Sequence, residues 1–387
     1  MKKICFVTGT RADYGILSSL MRAVKESSWA ELQIIATNMH LSEAYGMTVN
    51  EIVSDGFKID RCVAMDLDGD TPSATVRSMG KEMIGLAAAL EDLQPDMIVI
   101  LGDRYEMLMV ASAALIFHIP VVHLHGGEIT EGAIDDAIRN AITQLSSVHF
   151  TSTAEYRDRV VTMGANPDYA VNTGALGVQN IANDKIISLR ELNTSLRNDY
   201  NAGEYLLVTF HPVTKQPGEE VNQTEALLEA LDSQMQDDPH LKILFTMPNS
   251  DTGGRVVAEL IEQWAGNRTE RVECVKSLGR KRYYAALKYA KAVVGNSSSG
   301  LIEAPEFRIP TVNIGDRQKG RARGNSVIDC DADAVAIATT LRKALGAEFI
   351  DFCRDHTVNP YKQPDTLSRM LTMLHSASEE FAVGGRK

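Results

Sequence analysis

Short apolar runs alternate along this chain with longer segments in which apolar residues recur at helical spacing. The run 97–101 is apolar throughout, which is typical of a parallel strand buried on both faces. In the first half, strands are predicted at 4–8, 32–37, 97–101, 121–124, 148–151 and 169–172, and helices at 17–25, 76–93, 107–117, 134–145 and 155–163. This alternation predicts a parallel sheet covered by helices.

The second half of the chain repeats the same pattern. Strands are predicted at 206–210, 242–246, 272–275, 292–295 and 311–314, and helices at 225–236, 255–265, 283–288 and 299–307. The polar stretch 183–203 lies between the halves and is the predicted boundary. The pattern therefore predicts the α/β class with two Rossmann-like domains, the first at 1–180, completed by a C-terminal helix at 364–385, and the second at 181–363. The two domains are expected to face each other across a cleft at the carboxyl ends of their strands, where ligands bind.

Length and composition narrow the class of protein further. A chain of 387 residues exceeds one ordinary α/β core, and a formal net charge of −12 argues against a nucleic-acid partner. No apolar stretch approaches the roughly 20 residues of a membrane helix, and the apolar run 4–7 is too short for a signal peptide. The five scattered cysteines contain no C-x-x-C pair, so neither a disulfide framework nor structural zinc is expected. The protein is predicted to be soluble and cytoplasmic.

The first two polar motifs follow predicted strands. Residues 8–15, T-G-T-R-A-D-Y-G, open a helix whose first amide groups are suited to a phosphate. The alternative is an ordinary strand-to-helix turn with Arg11 in a surface ion pair, and the absence of G-x-G-x-x-G gives no indication of a dinucleotide. Asp103 and Arg104 follow strand 97–101. They are predicted either to form a structural pair or to serve as an acid/base and an anion clamp.

A histidine pair lies at the end of the next predicted strand. Strand alternation places His123 and His125 on one face, ahead of Gly126, Gly127 and Glu128. Half of a zinc site is the alternative, but no second pair of metal ligands follows in the sequence. A role in catalysis or in contacting a sugar is therefore favoured for this motif.

Two carboxylates open the helix predicted after this motif. Asp135 and Asp136 begin it, and Arg139 follows one turn later. Helix capping accounts for acidic residues at this position, because the helix dipole favours negative charge there. The functional alternative places one carboxylate beside Asp103 and His125, where mutual influence spreads the pKa values of the three groups, as proton abstraction next to a reacting carbon requires.

The second half carries its own candidate phosphate site. G-N-S-S-S-G at 295–300 opens a helix with small residues whose N–H and O–H groups suit a diphosphate, and Glu303, one turn later, suits ribose hydroxyls. Caps and turns are the alternative for this segment alone. The basic residues of 317–321, on the next loop, favour a phosphate site with two sides.

Taken together, these motifs resemble the hydrolysing UDP-N-acetylglucosamine 2-epimerases, bacterial enzymes of sialic-acid and related nonulosonic-acid pathways. The matching elements follow the family's order over nearly the whole chain: T-G-T-R-A-D-Y-G at 8–15, G-D-R at 102–104, H-G-G-E at 125–128, H-P-V-T at 211–214, N-S-D-T-G at 249–253, G-N-S-S-S-G at 295–300 and G-D-R-Q-K-G-R at 315–321. The resemblance implies the two-domain glycosyltransferase-B fold.

The resemblance also implies a reaction in two stages that uses no metal and no cofactor. A base removes the C2 proton while UDP leaves C1 by anti elimination, and water then adds to the resulting 2-acetamidoglucal to give N-acetylmannosamine. The implied catalytic residues are Asp103, His125, Glu128 and Asp135. The implied UDP- and sugar-binding residues are Arg11, Arg104, Arg139, His211, Asn249, Asp251, Ser297, Ser298, Glu303 and Arg317.

Several alternatives stay open at this point. Animal and some bacterial members carry glutamate at the position of His125, so the base that removes the C2 proton is either this histidine or a carboxylate. Some relatives act on UDP-2,4-diacetamido-2,4,6-trideoxyglucose of legionaminic acid synthesis instead. A non-hydrolysing 2-epimerase, a glycosyltransferase and a nucleotide-sugar sensor are the other hypotheses. A homo-oligomer, dimer or tetramer, is implied by the resemblance alone.

Overall fold

The computed structural model describes residues 1–67, 69, 71–249 and 251–384. Two compact units divide the chain. Unit 1 comprises Met1–Glu128, Asp135–Asn180 and the residues from Tyr361 onward, and unit 2 comprises Ile129–Ile134 and Ile181–Pro360. Each unit is built around its own parallel sheet, so the predicted class of two Rossmann-like α/β structures is confirmed. The predicted domain limits stay a prediction, because packing into compact units does not show that either part folds alone.

A seven-stranded parallel sheet forms the centre of unit 1, in the order β3-β2-β1-β4-β5-β6-β7. Its strands are β1 (Lys2–Thr8), β2 (Ala30–Thr37), β3 (Arg61–Val63), β4 (Met97–Leu101), β5 (Val121–Leu124), β6 (Val148–Thr151) and β7 (Ala170–Asn172). The helices that follow these strands are α1 (Arg11–Glu26), α2 (Val49–Ser54), α3 (Pro72–Leu93), α4 (Tyr105–Ile116), α5 (Asp135–Leu145), α6 (Ala154–Thr162) and α7 (Leu176–Asn183).

Unit 2 contains a six-stranded parallel sheet in the order β10-β9-β8-β11-β12-β13. Its strands are β8 (Tyr205–Thr209), β9 (Lys242–Thr246), β10 (Val272–Val275), β11 (Ala292–Gly295), β12 (Thr311–Ile314) and β13 (Val327–Cys330). Its helices are α8 (Leu189–Leu196), α9 (Glu220–Asp237), α10 (Gly254–Gly266), α11 (Gly279–Tyr289), α12 (Ser299–Ile302), α13 (Ala334–Leu345) and α14 (Ala347–His356). The last helix, α15 (Thr366–Gly384), belongs to unit 1.

The central strand β1 is buried on both faces of its sheet. Ile4 and Phe6 pack into a cluster that contains residues of α1 and, from α15, Met370. Cys5 and Val7 point to the opposite face and join a cluster with residues of α3 and α4. All five side chains are fully buried. A strand covered on both sides favours apolar residues at every position, which is why its sequence shows no alternation.

The order of the strands determines which loops lie side by side. The strand order reverses between β1 and β4 in unit 1, and between β8 and β11 in unit 2. Ligands of parallel α/β sheets bind at the carboxyl ends of strands next to such a reversal. The candidate site residues lie on the loops after these strands and after the strands next to them, β5 in unit 1 and β9 and β12 in unit 2.

The structure differs from the sequence prediction in several elements. The polar stretch 183–203 contains α8, which begins with a capping box formed by Ser188 and Glu191. The helix predicted at 299–307 divides into α12 and a 3₁₀ turn over Ala304–Phe307, because Pro305 has no amide hydrogen to continue the helix. The sheets also gain the short edge strands β3 and β13.

The sequence predicts a C-terminal helix and no membrane-spanning helix. The C-terminal helix predicted at 364–385 begins at Thr366, and its predicted last residue, Gly385, lies outside the described residues. Within the described ranges, no helix combines the length and the apolar character that crossing a bilayer requires.

Candidate functional site

After β1, the side-chain carboxylate of Asp13 caps the start of α1. Asp13 accepts hydrogen bonds from the amides of Gly9 at 2.9 Å and Thr10 at 2.7 Å, which satisfies donors at the start of α1. Arg11 Nε lies 2.8 Å from a carboxylate oxygen of Glu51. These contacts correspond to the alternative in which this motif is a capped turn with an ion pair. A phosphate contact by Arg11 stays a prediction.

Asp103 and Arg104, which follow β4, are held by different partners. Arg104 Nε donates a hydrogen bond to Glu106 Oε1 at 2.7 Å. Asp103 accepts one from Arg139 Nη2. Burial raises the pKa of the fully buried Glu106, and the neighbouring Arg104 opposes that rise. The two adjacent side chains are therefore oriented separately, each by a group elsewhere in unit 1.

Arg139 is fully buried and links three parts of unit 1. Besides its contact with Asp103, its Nη1 donates to the backbone oxygen of Glu128 at 2.8 Å and lies 3.5 Å from the Asp136 carboxylate. Asp135, the first residue of α5, is half-buried. The Arg139 guanidinium has no exposed surface and holds Asp103 through a hydrogen bond. A contact between Arg139 and substrate stays a prediction.

His125 and Glu128 form a hydrogen-bonded pair after β5. His125 has a left-handed backbone, with a φ of 66°, which is uncommon for residues other than glycine. Its Nδ1 lies 2.7 Å from Glu128 Oε1, and the same oxygen accepts a hydrogen bond from Ser152 Oγ at 2.6 Å. Nε2 of His125 is buried and has no hydrogen-bond partner among the described residues. A carboxylate acceptor keeps the ring proton on Nδ1, so the Nε2 lone pair is available to a ligand.

The backbone of Glu128 is also fixed from two sides. Arg159 Nη1 donates to the backbone oxygens of both Gly127 and Glu128, at 2.9 and 2.8 Å, and Arg139 donates to the second of these oxygens. A Cβ at Gly127 would lie 2.5 Å from the Tyr156 backbone oxygen, so only glycine fits there without a shift. The loop that carries the His125–Glu128 pair is therefore held closely by α5 and α6.

His123 binds to protein groups through both ring nitrogens. Its Nε2 lies 2.7 Å from the Gly102 backbone oxygen, and its Nδ1 lies 3.4 Å from Thr143 Oγ1. Burial lowers the pKa of His123 to about 3, so its ring is neutral at physiological pH. In the part of the chain that the structure describes, no group of three or more His, Cys, Asp and Glu side chains is arranged to hold a metal ion. His123 therefore binds protein groups at both ring nitrogens, whereas among the described residues His125 binds one at Nδ1 only.

In unit 2, Asn296 joins the loop after β11 to the loop after β8. Asn296 Oδ1 accepts a hydrogen bond from the His211 N–H at 2.7 Å, and its Nδ2 donates to the His211 backbone oxygen at 2.8 Å. The Asn249 N–H donates to His211 Nδ1 at 3.4 Å. His211 and Asn296 are both buried. Three of the predicted loops therefore converge on this pair.

Arg317, on the loop after β12, binds to the same place. Its Nη1 and Gln318 Nε2 both donate to the backbone oxygen of Asn296, at 3.1 and 2.9 Å. Its Nη2 lies 3.9 Å from the Asp251 carboxylate, while its Nε is buried with no hydrogen-bond partner among the described residues. Ser250, which belongs to the same N-S-D-T-G motif as Asp251, lies outside the described residues.

The serines of G-N-S-S-S-G lie at the start of α12. Ser297 and Ser298 are half-buried, and Ser297 Oγ accepts a hydrogen bond from the Ser299 N–H at 3.4 Å. Glu303, directly after α12, is buried. Their place beside Asn296 in the chain agrees with the predicted grouping, and their contact with a nucleotide stays a prediction.

The segment 129–134 belongs to unit 2, although the residues on either side of it belong to unit 1. The Glu131 N–H donates to the Lys319 backbone oxygen at 2.9 Å. Gly132 packs so closely against the loop after β12 that a Cβ there would lie 2.2 Å from the Asp316 backbone oxygen. The six residues between Glu128 and Asp135 therefore rest on the loop that carries Arg317.

Three residues of this arrangement are not among the predicted site residues: Ser152, Arg159 and Asn296, although Asn296 belongs to the G-N-S-S-S-G motif. Ser152 is the first residue after β6 and Asn296 the first after β11, so the rule that chemistry follows strand ends applies to both. Arg159 lies within α6, where nothing in the sequence distinguishes it from a surface arginine.

A protein-family model matches most of the chain, including polar loops of both sheets. This model, described as UDP-N-acetylglucosamine 2-epimerase, matches residues 22–375. The chain belongs to this family. Its membership, predicted from the motifs, is confirmed, and the predicted class of reaction, 2-epimerisation of a nucleotide sugar, is that of the family.

Two curated relatives and one solved structure show the extent of the similarity. The GDP/UDP-N,N'-diacetylbacillosamine 2-epimerase (hydrolyzing) of Campylobacter jejuni is 38% identical over 330 residues, 85% of this chain and 84% of the relative. The polysialic acid biosynthesis protein P7 of Escherichia coli is 35% identical, over 95% of this chain and 92% of that protein. The Neisseria meningitidis UDP-GlcNAc 2-epimerase bound to UDP-GlcNAc aligns with a TM-score of 0.78 at 15% identity, covering 97% of this chain and 100% of that chain. The predicted glycosyltransferase-B fold is confirmed.

Proposed function

We propose that this protein is a hydrolysing 2-epimerase that converts UDP-N-acetylglucosamine and water into N-acetylmannosamine and UDP. The observation that carries the proposal is the His125–Glu128 pair, in which the Nε2 of His125 is buried and has no hydrogen-bond partner within the described ranges. An imidazole whose Nδ1 binds a carboxylate can accept a proton at Nε2. Removal of the C–H proton beside the anomeric carbon requires a base, and His125 supplies one.

In the first stage, His125 Nε2 takes the proton from C2 of the sugar. The C1–C2 double bond forms, and the C1–O bond breaks with its electron pair leaving on the β-phosphate oxygen of UDP. The products of this stage are 2-acetamidoglucal, UDP and a protonated His125. Glu128, 2.7 Å from Nδ1, stabilises the positive charge, and Ser152 holds the carboxylate in place.

In the second stage, water adds to C1 of the glycal while C2 receives a proton on the opposite face. Inversion at C2 therefore needs a second proton-transfer group besides His125. We assign this role to Asp103, which is 22% exposed and held by the buried Arg139. Water supplies the proton that restores Asp103, and His125 releases its proton, so one water is consumed and N-acetylmannosamine and UDP are formed. The half-buried Asp135 is the alternative acid.

The loops of unit 2 are proposed to bind the leaving UDP. Arg317 carries a buried Nε that has no hydrogen-bond partner in the described part of the chain, and His211, Ser297 and Ser298 offer further donors. Guanidinium, hydroxyl and N–H groups bind phosphate oxygens through charge-assisted hydrogen bonds and stabilise negative charge on a leaving group. The binding roles predicted for the remaining residues are retained as proposals: Arg11, Arg104, Arg139, Asn249, Asp251 and Glu303.

A second candidate substrate differs only in the sugar. The Campylobacter jejuni relative is named for diacetylbacillosamine, and its identity of 38% favours UDP-2,4-diacetamido-2,4,6-trideoxyglucose. The Escherichia coli relative is named for polysialic acid synthesis, which favours UDP-N-acetylglucosamine. Both sugars carry the C2 acetamido group and the C2 proton on which the proposed chemistry acts.

We further propose that the protein is a homo-oligomer and that it is cytoplasmic. Light scattering on the protein eluting from a sizing column gives the mass of the particle directly. A mass at least twice the chain mass of 42.4 kDa supports the homo-oligomer, and a mass equal to the chain mass overturns it.

Proton NMR in D2O tests the proposed reaction, with the two UDP-sugars in parallel tubes. Free N-acetylmannosamine carrying deuterium at C2, together with free UDP, is the expected result in the first tube. A product that remains a nucleotide sugar would identify a non-hydrolysing epimerase instead. Turnover in the second tube alone moves the assignment to the diacetamido sugar. Silence in both tubes, while UDP still binds, overturns the proposal in favour of a glycosyltransferase or a sensor.

A further inference from the structure

We propose that Asn296 is a positioning residue of the nucleotide site, which holds the loops bearing His211 and Arg317 in the geometry that binds the diphosphate. The inference rests on the proposed function, since it deepens the role of the same loops. It concerns a residue whose side chain is directed at the protein and not at the ligand.

Asn296 contacts three loops at the carboxyl edge of its sheet. Its N–H donates to the Thr209 backbone oxygen at the end of β8, at 3.1 Å. Its side chain binds both backbone groups of His211, and its backbone oxygen accepts hydrogen bonds from Arg317 and Gln318. One residue thus connects the ends of β8, β11 and β12.

The chemistry of this contact selects asparagine. A carboxamide presents one acceptor and one donor side by side, which match the N–H and C=O of a single backbone residue. Aspartate lacks the donor, and alanine lacks both groups. Asn296 has no exposed surface, so its removal leaves the buried backbone groups of His211 without these partners.

The strand before Asn296 is packed too closely to take up such a change. Gly295 has a φ of 129°, and a Cβ there would lie 1.9 Å from the Thr209 backbone oxygen. The start of the loop is therefore held against β8 by the backbone itself. The loss of the Asn296 side chain is expected to release the segment around His211 and, through it, the contacts of Arg317.

Asn193 offers a matched control in the same unit. Its Nδ2 donates to the Tyr200 backbone oxygen at 2.8 Å, and its Oδ1 accepts a hydrogen bond from the Tyr200 N–H at 3.2 Å. Asn193→Ala therefore removes the same two kinds of hydrogen bond as Asn296→Ala. Its partner lies between α8 and β8, away from the three loops that Asn296 connects.

The experiment compares the full-length protein with the Asn296→Ala and Asn193→Ala variants, using UDP titration calorimetry, steady-state kinetics and thermal unfolding. Both variants should unfold at lower temperature. Asn296→Ala should weaken UDP binding and raise KM by about tenfold or more, with kcat within about threefold, because it removes binding shared by ground and transition states. Asn193→Ala should leave the UDP affinity within about twofold of the unaltered protein.

Each other outcome contradicts a specific claim. Equal UDP binding by Asn296→Ala and the unaltered protein overturns the inference alone, as does an equal loss of affinity in both variants. Lack of UDP binding by the unaltered protein overturns the proposed function and the inference with it. If Asn296→Ala does not fold, Asn296→Asp, which retains the acceptor for the His211 N–H, takes its place with an expected loss of about fivefold.

Discussion

Nδ1 of His125 lies 2.7 Å from Oε1 of Glu128, the same oxygen that accepts a hydrogen bond from Ser152. This relationship bears directly on the question that the sequence leaves open, namely whether an imidazole or a carboxylate removes the C2 proton. Oε1 of Glu128 binds Nδ1 of the His125 ring, while the Nε2 of His125 has no hydrogen-bond partner in the residues that the structure describes. We therefore infer that the histidine is the base and that the carboxylate orients it.

His125→Gln tests this assignment. The variant removes the base but keeps a polar side chain of similar size, so kcat should fall by about 10²- to 10⁴-fold. UDP affinity should remain within about twofold, because the proposed nucleotide loops belong to unit 2. The readouts are UDP release and calorimetry. His240→Gln, at an exposed position, is the control and should behave as the unaltered protein. Retention of more than about a tenth of the activity by His125→Gln contradicts the role.

Asp103→Asn should abolish turnover while leaving UDP binding intact. The amide cannot transfer the proton, but its oxygen still accepts a hydrogen bond from Arg139, so the fold is preserved. Asp103→Ala removes that acceptor beside a fully buried guanidinium and should cost about 2–4 kcal/mol in the free energy of unfolding. Urea unfolding separates the two variants. Normal turnover by Asp103→Asn assigns the second proton transfer to another residue.

Gly132→Ala is expected to disturb the loop that carries Arg317. The added methyl group would lie 2.2 Å from the Asp316 backbone oxygen, and backbone must shift to admit it. We expect a loss of about 1–3 kcal/mol in unfolding free energy and about fivefold weaker UDP binding. Gly266→Ala is the matched control, since nothing lies within 4 Å of a Cβ at that position of α10. Unchanged UDP affinity in Gly132→Ala shows that the segment 129–134 does not influence the nucleotide loops.

The free energy of unfolding should decrease as the pH is lowered, because two buried histidines resist protonation. Burial lowers the pKa of His123 to about 3 and that of His149 to about 4, against a usual value near 6.5. Below pH 6.5 the unfolded chain therefore binds protons that the folded chain does not, and the unfolding free energy declines as pH drops toward 4. Each histidine contributes at most about 1.4 kcal/mol per pH unit.

Urea midpoints measured from pH 7 to pH 4 test this expectation. His123→Gln, which retains a donor for the Gly102 backbone oxygen, should show a shallower decline than the unaltered protein. His356→Gln, at an exposed position, should leave the slope unchanged. If the urea midpoints of all three proteins decline with pH at the same rate, His123 gains no proton when the chain unfolds in this range, which contradicts the expectation.

Glu82→Gln should stabilise the protein at alkaline pH. Glu82 is fully buried, and burial together with the nearby Glu106 raises its pKa well above the usual value. The folded state thus holds a proton that the unfolded state releases above about pH 4.5, so stability is lost as pH rises. Glutamine mimics the protonated acid and keeps the acceptor for Thr37. The gain should be present at pH 8 and absent at pH 4, whereas the exposed Glu229→Gln should show none.

Local sequence patterns predict the strands of both sheets well and predict the helices less well. The strands at 97–101, 121–124 and 242–246 have the predicted bounds, because a buried parallel strand is a continuous apolar run that begins and ends sharply. The helix α8 lies in the stretch that the sequence predicts as the polar boundary. Its local indications are the capping box of Ser188 and Glu191 and the helical spacing of its leucines at 189, 192 and 196. A helix of eight residues is marginal by itself, so its stability depends on packing its leucine face against neighbouring residues.

By itself, the sequence determined the α/β class, the loops that carry polar chemistry, and the family. What it did not determine is which side chains on those loops bind one another. Asp103 binds Arg139 across 36 positions of sequence, Ser152 binds Glu128 across 24, and Asn296 binds His211 across 85. Those pairs depend on the order of strands in each sheet, which places particular loop ends side by side, and local propensity does not encode that order. The tertiary structure alone therefore separated the structural His123 from His125 and made Arg139 a buried support for Asp103.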